Sequence, residues 1–170
     1  MKPEVLPAIH PAAIEKAANI LKNGGLVAIP TETVYGIAAD CFNEEAVAKI
    51  FEAKGRPSDN PLIIHVSSPE EAEKYAYTSE LYYKLAEKFM PGPLTVILPK
   101  RDIIPTEVTA GLDSVAVRCP VHGVARRIIE LSGVPIAAPS ANKSGMPSPT
   151  SAQHVYNDMN GEIPLIIDAG

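Results

Sequence analysis

Four polar clusters lie beside short apolar runs and hold the chain's candidate chemistry. Pro30-Thr31-Glu32-Thr33-Val34-Tyr35-Gly36 follows the apolar residues 26–29. Its hydroxyls, carboxylate and amides suit a small polar molecule, while a threonine-capped turn is the plainer use of the same residues. In Lys54-Gly55-Arg56-Pro57-Ser58-Asp59-Asn60-Pro61, Arg56 and Asn60 stand between two turn formers. A charged fork and an amide donor held there suit polyphosphate oxygens; a lysine at a helix C-terminus, as at Lys54, is equally explained by the helix dipole. The alternation of Ser114-Val115-Ala116-Val117-Arg118 puts Ser114, Ala116 and Arg118 on one strand face. Arg118 then projects either into a site or into solvent. Ala137-Ala138-Pro139-Ser140-Ala141-Asn142-Lys143-Ser144-Gly145, followed by Pro147-Ser148-Pro149, combines small residues that let a ligand approach the backbone with the donors Ser140, Asn142, Ser144 and Ser148 and the charge of Lys143. A flexible loop is its plainer reading.

His65 stands in the otherwise apolar stretch Leu62-Ile63-Ile64-His65-Val66. Such a lone histidine is ordinarily structural. His10, His65, His122 and His154 share no ligand spacing, so no protein-built zinc site is expected. The chain has no Walker A sequence and no nucleophile elbow, and neither cysteine sits in an activating motif. Donors and cations without a nucleophile point to catalysis by positioning and charge stabilisation.

The elements that must position these residues alternate between helix and strand. Helices are expected at 10–22, from Ile14, Ala17, Ala18 and Leu21, and from Asn43 as N-cap to Gly55, with Val47, Ile50 and Phe51 inward. Further helical segments are expected from Ser68, at 79–89 with Tyr82, Leu85 and Phe89 on one side, at 121–131 closed by Gly133, and at 150–158. Strands are expected at 26–29, 62–66, 94–98, 114–118, 136–138 and 165–167. Short apolar strands between helices give an α/β sheet, whose ligands sit at strand ends. With no repeat, linker or composition break, the expectation is one domain over 1–170 with its core at about 10–170. A strand so near the final residue raises the expectation that the domain continues past Gly170.

Bulk properties narrow the class. A net charge of −5 argues against general attraction to nucleic acid or anionic membrane, though not against a local basic pocket. No run of about 18 apolar residues is present, and no signal-peptide pattern opens the chain. Cys41 and Cys119 lie far apart and outside any CxxC pair, which fits buried thiols in a reduced compartment. A cytoplasmic location is expected.

Together the clusters resemble the YrdC/Sua5 family of threonylcarbamoyl-AMP synthases. The resemblance is carried, in family order, by residues 30–36, by Lys54-Gly55-Arg56-Pro57 through Asn60-Pro61-Leu62, by Pro91-Gly92-Pro93-Leu94-Thr95, by Val115-Ala116-Val117-Arg118 and by residues 138–145. It covers about 24–170. It implies a twisted mixed sheet flanked by helices with a basic cavity on its concave side. It also implies a nucleotidyltransferase that makes threonylcarbamoyl-AMP and pyrophosphate from L-threonine, bicarbonate and ATP. The product would pass to a tRNA threonylcarbamoyl transferase that modifies the adenosine beside certain anticodons. Carried over by position, Thr33, His65, Arg118 and Ala138 would line the threonine site. Arg56, Asn60, Ser114, Ser140 and Ser148 would hold ATP, with Lys54 near the phosphates. Lys54, Arg56 and a Mg2+ ion riding on the nucleotide would neutralise charge in phosphoryl transfer.

Family members usually continue beyond the equivalent of Gly170 into a Ser-Thr strand and an arginine that complete the nucleotide pocket, and longer ones add a second domain. Two other classes compete. One is an RNA-binding module using Lys54, Arg56, Arg118, Lys143 and Arg126-Arg127, disfavoured by the acidic total and the scarcity of aromatics. The other is a carbamoyl-transfer domain of hydrogenase maturation, which shares the fold.

Overall fold

A computed structural model of the chain describes residues 3–31, 34–55, 61–121, 123–142, 148–159 and 163–169. Its strands are β1 (Glu4–Pro7), β2 (Val27–Pro30), β3 (Tyr35–Asp40), β4 (Ile63–His65), β5 (Thr95–Pro99), β6 (Ser114–Arg118), β7 (Ile136–Ala137) and β8 (Leu165–Asp168). The helices are α1 (Ala13–Lys22), α2 (Glu44–Lys54), α3 (Glu80–Phe89), α4 (Thr106–Thr109), α5 (Gly123–Ser132) and α6 (Ala152–Met159), with a 3-10 turn at Pro69–Lys74. The strands form one mixed sheet in the order β1-β8-β2-β3-β7-β4-β6-β5. β8 is parallel to both β1 and β2, and β4 is parallel to β6, while the other pairs are antiparallel.

Local chemistry explains the helix ends. The Asn43 side chain accepts the Ala46 amide at 3.0 Å, and Glu44 and Glu45 follow in the positive first turn of α2. Ser79 accepts the Tyr82 amide at 3.1 Å and opens α3. Gly55 ends α2 at φ 65°, the left-handed cap glycine adopts without a Cβ penalty. A Cβ there would meet nothing within 4 Å, so only the backbone would resist it. Gly55→Ala is therefore expected to cost about 1 kcal/mol, read as a lower urea midpoint with an unchanged slope.

The two faces of the sheet bury different cores. On one face Ala28, Ile37, Ile64, Val66, Val115 and Val117 pack with Val47, Ile50 and Phe51 of α2 and Tyr82 and Ala86 of α3. On the other, Val27, Ile29, Ala38, Ile136, Leu165 and Ile167 pack with Ala13, Ala17 and Leu21 of α1 and Ala125, Ile128 and Ile129 of α5. That second face continues across β4, β6 and β5. There Ile63, Ala116, Arg118 and Thr95 are half-buried and Ile97 is 70% exposed, so no described helix covers it. Across β4, β6 and β5 the sheet thus has one face packed in a core and one covered only in part.

Several elements differ from expectation. β1, β3 and α4 are additional. β1 is a mostly exposed edge strand, and β3 (YGIAAD) carries mainly small residues of weak strand propensity. The segment from Ser68 is a 3-10 turn. Ile14 is half-buried, and Ala13 joins Ala17, Ala18 and Leu21 on the inner side of α1. Phe89 does not share the buried side of Tyr82: it is 52% exposed at the last position of α3, and Met90, just past the helix, takes the buried place. Both cysteines are buried, as expected.

Candidate functional site

The partly uncovered sheet face gathers most of the described candidate residues. β4 and β6 run parallel, and His65 is the register partner of Arg118, as Ile63 is of Ala116. Neighbouring strands lie about 4.8 Å apart, so His65 and Arg118 stand side by side where both strands end. Val115 and Val117 are buried, while Ser114, Ala116 and Arg118 turn to the open face, as the alternation predicts. Ser114 opens β6 about 13 Å from Arg118 at ordinary strand rise.

Arg118 is aimed by its surroundings. Its Nε donates to the Gly92 carbonyl at 3.4 Å, and the Gly92 amide donates to the Cys119 carbonyl at 2.8 Å. Thr95 on edge strand β5 is its other register partner. The Pro-Gly-Pro turn thereby docks on the end of β6 beside the guanidinium. Spacing alone offered no sign of this, because the contact joins residues 26 positions apart. His65 is 2% exposed, with ring Nδ1 3.3 Å from the Ile63 carbonyl. A proton on Nδ1 is the tautomer this contact favours.

The opposite end of the site is built around β3. The Tyr35 amide donates to the Pro149 carbonyl at 2.9 Å, and the Tyr35 carbonyl accepts the Ala141 amide at 2.8 Å. Gly36 bridges to Ser140. One strand end therefore draws Ser140 and the Ser148-Pro149 stretch together. The Tyr35 phenol oxygen accepts the Ala169 amide at 3.0 Å. Burial raises the phenol's pKa, the Ala169 amide pulls it down, and the charge of Asp168 adds to the rise. β7 runs antiparallel to β4, with Ile64 opposite Ala137. The next residue, Ala138, comes level with Ile63 midway along the face and is buried.

Gly36 permits this approach. A Cβ there would lie 3.2 Å from the Ala138 carbonyl oxygen and 3.3 Å from that of Pro139, both backbone atoms. Gly36→Ala is expected to cost about 1–3 kcal/mol through overpacking and to displace the stretch carrying Ala138 and Ser140. Thermal unfolding together with nucleotide affinity would check both parts; an unchanged midpoint would count against the close approach.

Lys54, expected near the phosphates, is engaged with backbone carbonyls. It is 4% exposed, and its Nζ donates to the carbonyls of Ser140 at 2.5 Å and Asn142 at 2.8 Å. The helix dipole explains a cation at this position, but the geometry adds a bridge from the end of α2 to the 140–142 loop. Ser148 is exposed and Ser140 and Ser114 are half-buried. Thr33, Arg56 and Asn60 lie outside the described residues, as do Lys143, Ser144 and His122. Among the basic residues an RNA surface would use, Lys54 is buried, Arg126 bonds the Ser67 carbonyl, and Arg127 faces Glu130 at 3.4 Å.

The described residues thus form a two-ended strip. His65 and Arg118 make one end, suited to a carboxylate through the charged fork. Ser114, the Lys54-anchored Ser140 loop and Ser148 lie toward the other. Among the described residues no three His, Cys, Asp or Glu side chains are placed to hold a metal ion, and no helix is long and apolar enough to cross a membrane.

Comparison with known proteins bears on the family and the fold. The profile of the Sua5_yciO_yrdC family, described as "Telomere recombination", matches residues 19–170. A threonylcarbamoyl-AMP synthase of Pyrococcus abyssi is 57% identical over 158 residues, covering 92% of this chain and 46% of that protein. One from Bacillus subtilis is 52% identical over 159 residues, with the same coverages. The crystal structure of P. abyssi Sua5 complexed with L-threonine superposes with a TM-score of 0.95 at 53% identity, covering 98% of this chain and 50% of that one. The chain therefore spans about half the length of these relatives. On the matched profile, the sequence identity and the superposed fold, the chain belongs to the Sua5/YciO/YrdC family.

Proposed function

We propose that this chain forms the domain that makes L-threonylcarbamoyl-AMP from L-threonine, bicarbonate and MgATP, acting as a nucleotidyltransferase and releasing pyrophosphate. The observation that carries this reading is the pairing of His65 with Arg118 at one end of the open face while the Ser140 loop is anchored at the other. Relatives named threonylcarbamoyl-AMP synthase and a relative crystallised with L-threonine support it.

Arg118 takes the threonine carboxylate in its guanidinium fork, which orients the amine, and His65 and Ala138 close that end. The amine and bicarbonate give a carbamate with loss of water. A carbamate oxygen then attacks the α-phosphorus of ATP, forming the new O–P bond as the bond to pyrophosphate breaks in line. Negative charge gathers on the phosphoryl oxygens. Arg56, the Mg2+ that arrives with ATP and the donors Asn60, Ser114, Ser140 and Ser148 receive it, while Lys54 holds the loop that carries Ser140. Thr33 completes the threonine end. Residues 1–170 belong to this domain, which works in the cytoplasm, and its product goes to a tRNA threonylcarbamoyl transferase.

The test is pyrophosphate release from ATP with threonine and bicarbonate each supplied or withheld. Release that needs both is the expected result. Release indifferent to threonine would count against the reading.

A further inference from the structure

The chain leaves β4 at residues 66–67, just after His65, and there the polar groups of Ser67 are taken up by side chains from elsewhere. Its carbonyl accepts the Arg126 guanidinium twice, from Nε at 3.3 Å and from Nη2 at 3.1 Å. Its amide donates to Glu71 Oε2 at 3.1 Å, and its hydroxyl donates to the same oxygen. The phenol of Tyr75 is pushed up to about 12 by burial first and then by the charge of Glu71. One residue earlier, the Val66 amide donates to the Arg118 carbonyl at 3.0 Å.

β4 is only three residues long, too short for its own ladder to hold its end firmly. The two side chains that grip the exit come from opposite layers. Arg126 belongs to α5, whose Ala125, Ile128 and Ile129 sit in the core beside α1. Glu71 belongs to the 3-10 turn, whose Ala72 sits in the other core. The exit of β4 is thus referenced to both layers, two residues from His65 and one backbone hydrogen bond from Arg118.

We propose that Arg126 and Glu71 are positioning residues for the amino-acid end of the site, holding Ser67 so that His65 and Arg118 keep the spacing an amino-acid substrate requires. The substrate part of this inference rests on the function proposed above. Neither residue touches the substrate; both act through Ser67. Binding constellations held only loosely by their supporting residues lose affinity before they lose the fold.

The test compares the unaltered chain with Arg126→Met, which keeps an aliphatic stem and removes the fork, and Arg126→Lys, which keeps a donor. L-threonine and ATP affinities are measured by calorimetry, and the His65 ring and Arg118 amide signals by NMR without ligand. Arg126→Met is expected to weaken L-threonine about tenfold, to leave ATP within about twofold and to move both sets of signals, with Arg126→Lys recovering part of the loss. Equal losses of L-threonine and ATP affinity that track a lower Tm would reveal a merely structural role and overturn the proposal, as would unmoved His65 and Arg118 signals. If Arg126→Met does not fold, Glu71→Gln, which keeps size and an acceptor oxygen, is judged by the same criteria. Failure of the unaltered chain to bind L-threonine would overturn the substrate reading, and the ligand-free signals would still judge the clamp.

Discussion

Arg118→Ala is expected to lower kcat/KM for threonine by about 30-fold to several thousand-fold, with the folded state preserved. Removing one partner of a desolvated charge pair costs about 2–5 kcal/mol, and each 1.36 kcal/mol is a factor of ten in rate. Arg118 is half-buried on the open face beside His65, so a substrate carboxylate placed there loses much of its water. Its side chain is no part of either apolar core, which is why stability is expected to hold. Arg118→Lys keeps the charge without the fork and should recover only part of the rate. Steady-state kinetics with threonine varied, alongside a melting curve, checks both halves; near-unaltered turnover in Arg118→Ala would remove it from the site.

Lys54→Met is expected to damage both stability and activity. The sequence placed Lys54 at a helix C-terminus, where the helix dipole accounts for a cation, and the family resemblance put it near the phosphates. The structure places its Nζ between the Ser140 and Asn142 carbonyls at a buried position. Methionine keeps the stem but leaves both carbonyls without this donor. Each buried acceptor so deprived costs about 1–3 kcal/mol, so a loss of about 2–4 kcal/mol is expected after partial relaxation. For a chain of this size that lowers Tm by roughly 5–15 °C. Nucleotide affinity should fall as well, because the loop carrying Ser140 loses its anchor. Calorimetric melting gives the first number and ATP titration the second. A variant that melts like the parent yet has lost ATP affinity would instead point to a direct phosphate contact.

The clamp at Ser67 and the bridge at Lys54 follow one logic. Each uses a long cationic side chain from a helix to hold a backbone carbonyl near the open face. Arginine suits Ser67, where two donors converge on one oxygen, and lysine suits two separate carbonyls, because an ammonium has three donors in different directions.

Much of this protein was legible in local pattern. Asn43 with its following glutamates and Gly55 bounded α2 because caps act within a turn of the residues they serve. The alternation from Ser114 to Arg118 told which side chains face away from the core because the strand repeat is two. β3 was not legible. Gly36, Ala38 and Ala39 have little intrinsic preference for a strand, and β3 forms because β2 and β7 flank it. The exposure of Phe89 was equally hidden, since it depends on Met90 taking the buried place beyond the end of α3.

For the site, the sequence by itself determined the chemical inventory: a charged fork, a histidine, hydroxyl donors and small residues, with no nucleophile. It also determined, through spacing, that these would lie at strand ends. Only the tertiary structure decided which of them meet. Register set His65 against Arg118 across a separation of 53 positions, and an 86-residue separation closed between Lys54 and Ser140. Local rules act over one turn or one pleat, whereas such distant pairs are chosen by the packing of two cores at once, which no single stretch of sequence encodes.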